Sequence, residues 1–218
     1  MASGIEHILS PLSAPWCSWT MLVLLLCAIL SEFLQPGVLT QASASLMTRA
    51  NRTYKNAPVN FLGQALITIF HIGTLAMTLC LCFYEGGTFR FTAYLAVCGL
   101  IIAIVLTKML CNVILDFVFS FSRQFGTPYE HYANIFTIAM LLLYPCTLLM
   151  LRIGNAAVCR WILGSAALLF LIMWIYRGAR LFIVSPKAIV YFAMYISTLE
   201  VVPMGILYYL SGQTISQL

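Results

Sequence analysis

The chain has 218 residues, of which 62% are hydrophobic and only 8% charged, with a mean hydropathy of +0.99. A water-soluble domain carries roughly 25% charged residues, so this balance excludes a soluble globular fold and makes lipid the solvent for most of the surface. The net charge of +5 does not point to nucleic acid, because no basic cluster is interleaved with aromatic residues.

The first apolar run covers 16–34. The tail ahead of it carries Glu6 and His7 but no Lys or Arg, so the basic stretch that opens a secretory signal is missing. The Leu24-Leu25-Leu26-Cys27 segment also fails as a lipoprotein site, because Leu26 stands where a small residue is needed. The run is therefore expected to be a retained first span, with Glu32 snorkelling to the interface. Beyond Pro36-Gly37 the chain is polar up to Asn60 and carries Arg49, Arg52 and Lys55. It is too polar to span, although part of it could lie along the interface. Asn51-Arg52-Thr53 within it fits a glycosylation acceptor, a triplet common by chance.

Five more apolar runs follow, at 61–84, 91–119, 132–151, 158–176 and 188–210. Gly, Pro and charge separate them, as in Glu85-Gly86-Gly87-Thr88 and Ser185-Pro186, which is what ends a membrane helix and turns the chain. At roughly 20 residues per span the expected fold class is all-α: a polytopic transmembrane bundle of about six helices, one membrane domain over 1–218 and no soluble domain. The third run exceeds a bilayer's thickness and must tilt or reach the headgroups. Trp16, Trp19, Tyr84, Trp161, Tyr176, Tyr208 and Tyr209 fall at run ends, as interfacial belts require.

Orientation follows from the basic residues. Seven of eleven (Arg49, Arg52, Lys55, Arg123, Arg177, Arg180 and Lys187) lie in the first, third and fifth connections or beside them. Three (Arg90, Arg152 and Arg160) lie on the opposite side. The positive-inside rule then puts both termini outward.

The eight cysteines lie mostly inside apolar runs without a CxxC pair. They read as small apolar filler, and neither a metal site nor a disulfide framework is expected. His7, His71 and His131 are too few and too scattered for a metal or haem site, and no cofactor is expected. Nucleotide-binding glycine loops, HExxH and nucleophile elbows are absent.

Charges inside a span cost about 2.5–3.5 kcal/mol each on insertion scales, so each needs a partner or a use. Lys108, Glu200 and His71 lie close to the middles of the third, sixth and second runs. The cheapest arrangement pairs Lys108 with Glu200, with His71 bonding either, since an unpaired ion there would shed its charge. Lys108, Asn112 and Asp116 form one stripe at i, i+4 and i+8. Asp116 is level with Arg177 and Arg180 at the end of the fifth run, where a salt bridge would anchor helices. Further polar stripes are Gln64, Thr68, His71 and Thr78 on the second run, Asn134, Thr137, Tyr144 and Thr147 on the fourth, and Ser197 with Glu200 on the sixth. Pro203 removes the hydrogen bond to the Leu199 carbonyl, a kink beside Glu200. Neutral stripes of this kind are ordinarily helix–helix glue worth around 0.6 kcal/mol per bond. A Lys/Glu pair can be static or can change state with function.

Three segments carry a resemblance: Thr107-Lys108, Tyr176-Arg177-Gly178, and Tyr195-Ile196-Ser197-Thr198-Leu199-Glu200-Val201-Val202-Pro203. Over about residues 49–210 the chain resembles the domain-of-unknown-function 4271 family of bacterial inner-membrane proteins, whose members often carry Cys where Ser197 stands. The resemblance implies a Gram-negative cell-envelope setting and no reaction. Short connections and the lack of a cofactor motif lead to the expectation of a non-catalytic component of an inner-membrane complex, with lipid and other membrane proteins as partners. A small transporter or proton-coupled conduit using Glu200 and Lys108 is the alternative, and an intramembrane enzyme a third. If the pair exists, removing Lys108 or Glu200 singly costs about 3–5 kcal/mol each, and the double substitution costs at least ~1 kcal/mol less than the sum. Thermal unfolding in detergent reads this, and additive losses would exclude the pair.

Overall fold

A computed structural model describes residues 14–36, 60–84, 90–119, 128–182 and 201–217, with the side chains at 112, 115–134 and 177–182 left out of the description. Among the described residues six helices appear in chain order: α1 (Pro15–Leu34), α2 (Phe61–Cys82), α3 (Phe91–Phe119), α4 (Pro128–Ile153), α5 (Ala156–Phe182) and α6 (Val202–Gln217). No strand occurs among the described residues. Such a composition leaves helices as the economical solution, because hydrocarbon offers no partner to a bare N–H or C=O and a helix satisfies its own. The first five helices are long and apolar enough to cross a membrane. α3, with 29 residues, is about 44 Å long at 1.5 Å per residue, well beyond a 30 Å hydrocarbon core. α6 runs on past Leu210, where the apolar run ends, to Gln217.

Local chemistry sets the ends. Pro15 occupies the first turn of α1, where a missing N–H costs nothing. Asn60 caps α2 by accepting from the Leu62 N–H at 3.2 Å, and its amide donates back to the Leu34 carbonyl at 3.3 Å. That pair ties the end of α1 to the start of α2. The α4–α5 connection is Gly154-Asn155 alone. Gly154 takes φ 63°, a left-handed conformation that L side chains resist. Asn155 caps α5 through its side-chain oxygen, 2.9 Å from the Ala157 nitrogen and 3.4 Å from that of Val158.

The helices alternate in direction, as their contacts show. The end holding the α4–α5 turn (the upper end) also holds the start of α1 and of α3, where Trp16 meets Phe91 edge-on at 5.2 Å. The end of α2 and the second half of α6 lie there too, joined by Phe83 and Tyr208 at 4.8 Å and by Gly212 against the Phe83 ring. The opposite, lower end joins α1 to α2 through Leu34, Asn60 and Gly63. Of the aromatic residues at run ends, Tyr84 is buried, 9% exposed, whereas Trp19, Trp161, Tyr176 and Tyr209 are open to the surroundings.

α2 is the hub. It packs on α1, α3, α4, α5 and α6, and 67% of its apolar window is buried, against 11 to 44% for the other four candidate spans. Small residues let the neighbours approach, as helix pairs in lipid require. A side chain at Gly73 would run into Leu24 Cδ2 of α1 and come within 3.0 Å of the Tyr94 hydroxyl of α3. The main core gathers Met21 and Leu24 of α1, Phe70 and Met77 of α2, Val97 and Ile101 of α3 and Met140 and Leu143 of α4. A second cluster, lower down, joins Ile135, Phe170 and Trp174, with Met204 of α6 against it. Gly73→Val is expected to destabilise the fold in detergent by about 1–3 kcal/mol. Gly99→Val, which faces open space, should change it by no more than ~0.5 kcal/mol, as read from the two thermal transitions.

Candidate functional site

The residues singled out by charge and polarity divide among three places. Lys108 stands on the bundle side of α3. Ala93, Tyr94, Val97 and Ile101 are buried, and Ile104, Lys108 and Cys111 continue that stripe half-buried, while Val105, Leu106, Met109 and Leu110 are exposed. The helix thus turns its charge toward its neighbours, the arrangement expected of an ionisable group at membrane depth. α3 packs along α6, whose described part begins at Val202, two residues after Glu200. Glu200 and Ser197 lie outside the described residues. Pro203 is the second residue of α6 as described, and Leu199 lies outside it.

His71 sits on α2 against α4. Its ring meets Phe136 edge-on at 5.2 Å and 87° and lies 5.9 Å from Phe70. Phe136 in turn meets Phe170 of α5 at 5.9 Å. The Nε2 atom is enclosed and has no hydrogen-bond partner among the described residues.

The neutral stripes form links between helices. Thr78 of α2 and Thr147 of α4 are both fully buried, with their hydroxyls 2.8 Å apart. Whichever donates across the gap, the other can donate back to its own helix, to the Thr74 carbonyl at 2.8 Å or that of Leu143 at 2.9 Å. The Tyr144 hydroxyl donates to the Met21 carbonyl of α1 at 2.8 Å. Thr137 is buried on the same face of α4. Lower on α2, Gln64 and Thr68 are exposed, and the Thr68 hydroxyl donates to the Gln64 carbonyl at 2.8 Å. The backbones of Asn112, Asp116, Asn134, Arg177 and Arg180 are helical, but their side chains lie outside the described residues. Among the described residues, α3 and α5 each pack on α2.

One contact was not foreseen from the sequence. Arg160, in the first turns of α5, donates from Nε to the Cys82 carbonyl at 2.9 Å. It covers the last turn of α2, where carbonyls lack partners and the helix dipole favours a cation. The signal was available: a lone Arg within the first turn of an apolar run. The eight cysteines are all free, and Cys17, Cys80, Cys82 and Cys159 are buried in helix seams as filler.

This geometry defines a polytopic helical membrane protein whose internal polar groups join its spans. A family described as a domain of unknown function (DUF4271) matches residues 17–210, and the chain belongs to that family. The match takes in α1, extending the resemblance read from about residue 49 onward. Comparison with curated proteins and with solved structures finds no match.

Thr78→Val and Thr147→Val, singly and together, should show a coupling of about 0.6 kcal/mol. Tyr144→Phe should add to Thr78→Val without coupling. Detergent unfolding of the variant set checks both, and zero coupling between the threonines would remove the cross-link.

Proposed function

We propose that the protein is a non-catalytic integral component of a membrane-protein complex of the bacterial cell envelope, seated in the inner membrane with both termini outward. The observation that carries this reading is where the described polar side chains direct their hydrogen bonds. Tyr144, Thr78, Thr147 and Arg160 all bond across helix seams, to α1, between α2 and α4, and onto the end of α2. Polar groups committed this way stiffen a scaffold. The remaining surface of α3 and α5 is broad and apolar, from Ile102 to Ile114 and from Trp161 to Tyr176, and suits contact with lipid and with the spans of other membrane proteins. Clustering of Lys and Arg at the lower end supports placing that end in the cytoplasm.

A second reading has its own support. Lys108 faces the bundle on a helix packed along α6, and His71 holds an enclosed nitrogen at mid-span. A proton-coupled conduit with Glu200 as carrier and Lys108 as counter-charge uses both. Purification of the tagged chain from its native membrane in mild detergent separates the readings. A complex component should bring a partner of fixed stoichiometry. A chain that emerges alone, and whose flux in proteoliposomes is abolished by Glu200→Gln without loss of fold, would replace the first reading with the second.

A further inference from the structure

The two halves of α2 differ. From Gly73 to Cys82 every residue but Leu75 is buried, whereas Phe61, Leu62, Gln64, Thr68 and Ile69 in the lower half are exposed. The hub is sealed above and uncovered below. The exposed part is itself segregated. At about 100° per residue, Gln64, Thr68 and His71 fall within roughly 60° of one another, on the edge next to α4. Leu62 and Ile69 point more than roughly 90° away from that strip by the same spacing, while Phe61, also exposed, lies about 20° from Thr68 at the mouth of the strip. Lipid meets the apolar side at no cost. The polar strip is another matter, because an amide and an imidazole facing hydrocarbon each forfeit hydrogen bonds. Polar groups at this depth face either the bundle interior or water.

Exposure falls with depth along this side of α2, and Leu75, half-buried, stands next above His71 on the strip itself. Gln64 and Thr68 are open, His71 is half-buried with Nε2 enclosed, and Thr74 and Thr78 beyond it are 0% exposed. His71 lies ten residues above Phe61, or about 15 Å into the membrane, half the depth of the hydrocarbon core. Its enclosed nitrogen has no partner among the described residues, the Thr68 hydroxyl can still accept beside its bond to the Gln64 carbonyl, and the Gln64 amide is open, so the row offers the polar partners that a held water needs.

We propose that Gln64, Thr68 and His71 line a water-filled vestibule, open at the lower end only and closed by the packed upper half of α2, that delivers water to the His71 imidazole. This goes beyond the assignment of a partner-holding role and is independent of it. A scaffold and a conduit could each contain such a vestibule, and its test reads water rather than partners or flux.

The test is cysteine reactivity in sealed membrane vesicles of both orientations, using a membrane-impermeant methanethiosulfonate on the full-length chain. The reactivity of the unsubstituted protein serves as background for its native thiols. Gln64→Cys, Thr68→Cys and His71→Cys should react at rates that fall in that order, and only from the side on which Phe61→Cys reacts. Thr68→Cys should react at least tenfold faster than Ile69→Cys, one residue away on the apolar face, and Thr74→Cys should not react. Gln64 and Thr68 are exposed, so their variants should fold even if His71→Cys does not, and the comparison of Thr68 with Ile69 then decides. Equal rates at those two positions, whether because lipid or another protein covers the strip, would overturn the proposal. Reaction of Thr68→Cys from the upper side would overturn it as well.

Discussion

Hydrocarbon offers no hydrogen bonds and no hydrophobic incentive for one apolar helix to prefer another over lipid, so this bundle depends on how closely helices can approach α2. Dispersion between well-fitted surfaces is individually small and collectively large, and it is lost when a gap of even an ångström opens. Gly63 and Gly73 remove the side chains that would hold α1 away. The Gly63 Cα carries no substituent where Gln35 Cβ lies only 3.2 Å from the place a Cβ would take. Placing the most enclosed helix second in the chain lets every later span find an existing surface.

On that packed frame the polar links are laid at separate depths. Asn60 reaches the Leu34 carbonyl at the lower end, Tyr144 reaches the Met21 carbonyl in the middle, and Arg160 reaches the Cys82 carbonyl at the top. Each of these three joins a side chain to a backbone oxygen. Such a bond fixes the donor's identity but leaves the accepting residue's side chain free to change. The Thr78–Thr147 contact constrains both partners. Together they hold α1, α2, α4 and α5 in register, while α3 and α6 pack along each other and make aromatic contacts to α1 and to the end of α2 at the upper end.

The spans were legible because length and apolarity alone define them, and helix starts at Pro15, Phe61 and Phe91 fall within a residue of the apolar runs. The glue role of Thr78, Tyr144 and Thr147 was also legible, since polar groups on one face of a membrane helix have few alternatives. Which helix each would meet was not. A stripe of 3.6-residue period specifies a direction from its own axis and carries no label for the neighbour. Nothing in the period of α2 announces that it touches all the others, apart from its density of small and hydroxylated residues. Arg160 was read by its charge as a topology signal, and the same charge also meets a helix end, because one cation can satisfy both. For Lys108 the sequence supplied the depth and the structure the direction. The position of Tyr84 in its run says nothing of its neighbours, and the fold encloses it.

The connection between α4 and α5 has a consequence for biogenesis. Gly154 and Asn155 leave no slack, so neither helix can settle into the bilayer while the other waits in the insertion machinery. The two partition together as a hairpin, with Arg152 and Arg160 kept at the same end of it. The Asn155 cap and the left-handed Gly154 can form before that passage, since both are local. The fold of this corner is then already made when the chain first meets lipid, and α2 receives α4 and α5 as one preassembled unit.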